Sequence, residues 1–227
     1  MAGNESFDLR GPAGRLEAIL MHPGATPVAA AVVCHAHPLH GGIMHFKPVF
    51  RAAQALQSAG LAALRFNFRG VGRSEGEHDF GVGEQEDARA ALFELERRFP
   101  GVPLVLGGFS FGSSVALRLA ARAPRVRAVF ALGYPLEREG DRAPLDAVRQ
   151  PRLFVQGDSD EFGSGATLRA LVERLPPPRE VVVIPDSDHY FTGRLDALQD
   201  AVRSWAESRP WRAPEPATPS AAEPVGG

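Results

Sequence analysis

Six short apolar runs recur along the chain with helical stretches between them, and this alternation limits the possible folds more than any other feature. The runs are VAAAVVC (28–34), LAALRF (61–66), PLVLGG (103–108), VRAVFAL (126–132), RLFVQ (152–156) and EVVVIP (180–185). Apolar runs of this length, without polar alternation, read as strands buried on both faces. Between them, Phe46, Val49, Phe50, Ala53 and Leu56 recur at helical period, as do Ala88, Leu92, Leu95 and Phe99, and Leu195, Leu198, Val202 and Trp205. Strands joined through helices form a mostly parallel, doubly wound sheet with helices on both faces, so the fold class is α/β. Ahead of Val28, SFDLRG and RLEAIL are expected to pair as an antiparallel edge hairpin.

The chain has 227 residues, enough for one domain whose core needs no disulfide or metal staple. That domain is expected over 1–209, followed by a Pro/Ala-rich tail (210–227) with too little apolar content to pack. Lys and Arg number 25 against 27 Asp and Glu, with no basic stripe, which argues against nucleic acid or an anionic membrane as a partner. A small molecule is the expected partner. The opening residues MAGNESFDLRG lack the pattern of a signal peptide, and no apolar run is long enough to span a bilayer. With Cys34 as the only cysteine, and that within an apolar strand, the reading is a cytoplasmic protein with Cys34 in its core.

The chemistry centres on GGFSFGSS (107–114), where Ser110 stands between Gly108 and Gly112 at the spacing G-x-S-x-G. A serine on a sharp strand-to-helix turn needs small residues two positions away on each side, because side chains there would collide. The segment from Ser110 to Ala121 is apolar nearly all round, as a helix deep against the sheet would be. A hydroxyl becomes nucleophilic when an imidazole takes its proton, and the imidazole needs a carboxylate to fix its tautomer. On such an elbow the order along the chain is serine, acid, histidine. His189 is the only histidine after Ser110, and it lies in the loop following EVVVIP. The acid is expected in the loop after RLFVQ, where Asp158, Asp160 and Glu161 all qualify. Asp160 is favoured, because Asp158 falls at the strand end, where it would bond turn amides. The oxyanion needs two backbone N–H donors, one after the nucleophile and one in the loop after the first parallel strand. Phe111 and His37 meet those positions, with Ala36 the alternative to His37.

The segments HAHPLHGG (35–42), LRFNFRGVGRSEG (64–76), GFSFGS (108–113), GDSD (157–160) and DSDHYF (186–191) together resemble the α/β-hydrolase superfamily. More narrowly, they resemble its small, lidless, dienelactone-hydrolase-like bacterial members, over residues 28 to about 205. The resemblance implies an α/β-hydrolase fold without a large cap, Ser110 as nucleophile, Asp160 as acid and His189 as base. Ala36 departs from the family's pattern, which carries proline between the two histidines of the first loop. About twenty residues separate VRAVFAL from RLFVQ, too few for a helical cap, so the site should be open.

The resulting expectation is a serine hydrolase, carboxylesterase-like, that cleaves an ester or related acyl bond of a small substrate without a cofactor. Phe109 and Tyr190 are the expected substrate contacts, with Phe111, Tyr134 and Phe191 as further candidates for the apolar lining. Two other readings compete. One is a catalytically idle binding module on the same fold. The other is a zinc hydrolase using His35, His37 and His40, although Leu39 stands where such a site requires aspartate. The four histidines at 35, 37, 40 and 45 are expected to shape the pocket mouth. GVGRSEG (70–76) lacks the third glycine of a dinucleotide fingerprint, and is read as a tight loop tied down by Arg69 or Arg73. GEQED (83–87) is read as the acidic first turn of a helix, favoured by its dipole.

Overall fold

The structure is a computed structural model describing residues 2–137 and 143–211, so 212–227 of the expected tail lie outside it. All six runs are strands: β3 (Ala29–Cys34), β4 (Leu61–Phe66), β5 (Leu104–Phe109), β6 (Val126–Leu132), β7 (Arg152–Gly157) and β8 (Arg179–Ile184). Ahead of them, β1 (Ala2–Gly11) and β2 (Gly14–Pro23) form the antiparallel hairpin, and β2 pairs antiparallel with β4. The sheet order is β1-β2-β4-β3-β5-β6-β7-β8, parallel from β4 to β8.

Every residue of β3, β4, β5 and β7 is buried, as unbroken apolar runs demand. EVVVIP departs from this expectation. It forms the edge strand, and its residues before Ile184 are half-buried or exposed because one side has no strand to cover it. Helices α1 (Lys47–Ser58) and α6 (Leu195–Glu207) cover one face of the sheet, with Val49, Ala53, Leu198 and Val202 buried against it. On the other face lie α2 (Gly83–Arg98), α3 (Phe111–Ala120), the short α4 (Ala143–Ala147) and α5 (Gly165–Val172). No cap domain is present among the described residues, and no described helix is long and apolar enough to cross a membrane. Trp211 still packs on the body: its ring meets Trp205 edge-on at 6.2 Å and its Nε1 donates to Ala206 O at 2.8 Å.

Two features of the topology create the site. After β3 the chain passes to β4 on one side and then to β5 on the other, so the loops leaving β3 and β5 diverge from a common crevice. One loop begins at His35 and the other contains Ser110. The loop at 67–76 then braces the first of these through buried polar contacts. Asn67 Oδ1 accepts from Met44 N–H at 2.8 Å and its Nδ2 donates to Glu17 Oε2 at 2.9 Å, joining hairpin, β4 exit and β3 exit. Both arginines tie the loop as expected, Arg73 to Glu17 and Arg69 in a two-pronged pair with buried Asp87.

Replacing Asn67 with alanine strands the Met44 N–H and removes a partner of Glu17, which costs about 2 to 3 kcal/mol. Urea unfolding of Asn67→Ala against the parent checks this, and an unchanged midpoint would show the brace to be dispensable.

Candidate active site

At the end of β5 the backbone turns abruptly, and Ser110 takes φ 54° and ψ −121°, a region L-residues avoid. Such strain costs about 1 to 3 kcal/mol and persists only where the surroundings impose it. Here they do. A Cβ on Gly112 would fall 2.4 Å from His35 O, and one on Gly108 would fall 2.6 Å from the Gly112 carbonyl carbon and 2.7 Å from Cys34 O. The elbow is wedged against the exit of β3, so both positions need glycine for steric reasons. Ser110 N–H donates to Leu132 O at 2.8 Å, anchoring the turn to β6 as well.

His189 lies 2.9 Å from Ser110 Oγ through Nε2 and 2.8 Å from Asp160 Oδ2 through Nδ1. A carboxylate oxygen accepts, so Nδ1 carries the proton and Nε2 is left to accept from the serine hydroxyl. Asp160 and His189 are nearly inaccessible to solvent. The carboxylate is held by two further donors, Gln156 Nε2 to Oδ2 at 2.8 Å and Phe162 N–H to Oδ1 at 2.8 Å. Gln156 is itself locked, accepting from Tyr134 N–H and donating to Gly163 O.

The three acids of the β7 exit separate by partner. Asp158 accepts from the N–H groups of Asp186 and Ser187, both at 3.0 Å, and these bonds hold its carboxyl below the usual range. It ties the β7 loop to the loop carrying His189, the turn-bonding role expected of it. Glu161 accepts from His189 N–H at 3.3 Å, and only Asp160 reaches the ring.

A cavity of about 150 Å³ opens over Ser110, walled by Ala36, Phe46, Phe109, Pro135, Phe162 and Tyr190, with His37 and His40 on one side. Phe109 is fully buried and forms its floor, packing on His189 at 5.0 Å, while Tyr190 is 47% exposed at the rim. Tyr134 and Phe191 do not reach the cavity: Tyr134 packs in the core beneath the other sheet face, and Phe191 is buried behind Phe109. Phe111 turns aside to pack on His37 and Phe68. Phe46, Pro135 and Phe162 take the expected places of these rings, and Gln156 is a supporting residue that spacing rules did not indicate. A polar residue directly after the apolar LFV of β7 was the available signal for Gln156. Nothing in the sequence singles out Phe162.

Among the described residues, the histidine loop brings no metal-binding cluster together. His35 is buried with both nitrogens engaged, Nε2 accepting from Phe68 N–H at 3.0 Å and Nδ1 donating to Ala36 O at 2.7 Å. His45 points to solvent, and among the described residues no group of three or more His, Cys, Asp or Glu is disposed to hold an ion. GEQED also does more than complement a dipole. Asp87 is the buried partner of Arg69, and buried Glu84 accepts from the N–H groups of Asp79 and Gly81. Burial opposes the charge on Glu84, but those N–H groups, its own N–H and nearby His78 outweigh it, and its carboxyl stays below the usual range.

A strained serine between two glycines, hydrogen-bonded to a histidine at the carboxyl edge of a parallel sheet, defines a hydrolase-type α/β protein. Residues 29–208 match the alpha/beta hydrolase domain family, and the chain belongs to it. It is similar to an alpha-beta serine hydrolase homologue of Coxiella burnetii, with 38% identity over 88% of this chain and 96% of that one, and a TM-score of 0.82. It is also similar to a lidless a/b serine hydrolase of Xanthomonas campestris, with 36% identity over 91% and 97% of the two chains and a TM-score of 0.80. A dienelactone hydrolase of Anabaena variabilis shares the fold at 21% identity, covering 90% and 96% of the chains with a TM-score of 0.75.

His35 gives the site a pH signature. Burial, against the bond to Ala36 O and the charge of Glu84, lowers its pKa to about 4. Above pH about 6.5 the ring is neutral in both folded and unfolded chains and adds no pH dependence. Below it the unfolded chain takes up a proton that the folded one refuses, so stability falls towards pH 4, by about 3 kcal/mol in all. In His35→Gln, where the amide oxygen can accept from Phe68 N–H, this share of the fall should be absent. Urea unfolding of both chains at pH 7 and pH 4.5 measures it, and parallel losses would refute the assignment.

Proposed function

We propose that the chain is a serine hydrolase that cleaves a carboxylic ester or related acyl bond of a small substrate through an acyl-enzyme. The observation that carries this reading is the continuous hydrogen-bond line from Ser110 Oγ through His189 to Asp160. Ser110 attacks the carbonyl carbon while His189 Nε2 removes its proton, and the imidazolium so formed is stabilised by Asp160. The same proton goes to the leaving group. A water then takes the place of the alcohol, His189 accepts its proton, and the acyl group departs as the acid.

Local geometry supports the expected oxyanion donors. In a trans peptide C=O and N–H point opposite ways. Ala36 O is turned towards the His35 ring, so the His37 N–H points the other way, to the cavity that Ala36, His37 and Ser110 share. Phe111 opens α3, where an N–H has no acceptor within the helix and the helix dipole favours negative charge. These two amides support His37, rather than Ala36, as the partner of Phe111. Among the described residues the lining carries neither arginine nor lysine, which supports a small uncharged acyl group as substrate. A single cysteine, buried in β3, forms no internal disulfide that would call for an oxidising compartment, which supports a cytoplasmic setting.

A fluorophosphonate probe read by intact mass tests the proposal. The parent should take one adduct, Ser110→Ala none, and hydrolysis of an aryl ester should fall at least about 10⁴-fold in the variant. A folded parent that takes no adduct would favour an idle binding module on the same fold.

A further inference from the structure

Beside the cavity, on the side of His37, lies a buried imidazole that this chemistry leaves unused. His78 belongs to the loop between β4 and α2, and its side chain is 7% exposed. Its ring packs on His37 at 4.9 Å, Phe80 at 5.1 Å and Phe111 at 5.7 Å between centroids. Nδ1 lies 2.7 Å from Glu84 Oε1 but off the line of a hydrogen bond, and neither ring nitrogen has a hydrogen-bond partner among the described residues. A phenyl ring would fill the same space without burying two polar nitrogens, so packing alone does not account for a histidine here.

Glu84 is rigidly held. It sits in the first turn of α2, which packs on α3, and each carboxylate oxygen accepts a backbone N–H, from Asp79 at 2.9 Å and Gly81 at 2.8 Å. The loop is strained two residues after His78, where Phe80 has φ 48° and an 80% exposed side chain. The turn at Pro38–His40 that follows His37 buries no side chain.

We propose that His78, held by Glu84, is a positioning residue that fixes the separation of the His37 and Phe111 amides. Its ring touches the side chains of both residues, and Glu84 links it to a helix anchored on the sheet. Oxyanion donors stabilise the transition state only when they lie within a few tenths of an ångström of the place the charged oxygen will occupy. A buttress common to both donors supplies that accuracy. The inference rests on the serine hydrolase reading and deepens it.

The test compares the full chain with His78→Ala, Glu84→Gln and the double variant, using p-nitrophenyl butyrate as substrate and an alkyl trifluoromethyl ketone as transition-state analogue. In His78→Ala kcat should fall about 10- to 100-fold with KM within about twofold. The inhibition constant of the ketone should rise by the factor that kcat/KM falls. Glu84→Gln should show the same signature, and the double variant should lose less than the product of the two. Unchanged kcat, a loss carried by KM alone, or multiplicative losses would each overturn the proposal. Should His78→Ala fail to fold, His78→Phe keeps the packing but not the Glu84 contact, and must lose kcat in the same pattern for the proposal to stand. Parent activity that survives Ser110→Ala would instead bring down the serine hydrolase reading, a result separate from all of these.

Discussion

The close approach of the β5–α3 elbow to the exit of β3 governs most of what the site can do. Cys34 pairs with Gly108 in the sheet, and the carbonyls of Cys34 and His35 press on Gly108 and Gly112 with no room for a Cβ. That contact holds Ser110 in its strained conformation. It also brings the first N–H of α3 beside the loop containing His37, so Ser110 and both of these segments are placed by one packing event. The topology makes it possible: β3 and β5 are neighbours from which the chain departs in opposite directions.

Around this contact, buried polar pairs do the bracing that a cap domain would otherwise share. Asn67 joins Glu17 to Met44, Arg69 grips Asp87, and Glu84 gathers the amides of its own loop. Each satisfies groups that burial would otherwise penalise, so the loops are held by hydrogen bonds as well as by apolar contacts. The surroundings of Asp160 are built likewise, with Gln156 and the Phe162 N–H orienting its carboxylate, and Asp158 tying the loop of His189 to β7. A site open to solvent can keep its geometry because its loops are cross-bonded.

Much of this was legible along the chain. Unbroken apolar runs bury both faces wherever they occur, so the strands fell where VAAAVVC and its successors predicted them. The exception, EVVVIP, has an interior composition but an edge position, and position in a sheet is not encoded in a single strand. That Ser110 and His189 would meet was legible because elbow sterics pick out one serine and only one histidine follows it in the chain. The aromatic lining was read less well. Phe109 and Tyr190 line the cavity, whereas Tyr134 and Phe191 pack away from it, because the direction of a side chain at a loop entry depends on backbone angles that spacing does not reveal.

By itself, then, the sequence determined the parallel α/β architecture, the strained serine of the elbow and the one histidine that follows it in the chain, all consequences of local periodicity, short-range sterics and order. Tertiary structure alone decided which of Asp158, Asp160 and Glu161 meets the imidazole and which rings wall the cavity. It alone joined His78 and Glu84 to the rings of His37 and Phe111. These are contacts between segments tens of residues apart, and hydrogen bonds a few ångströms long are chosen by how the loops pack, not by spacing along the chain.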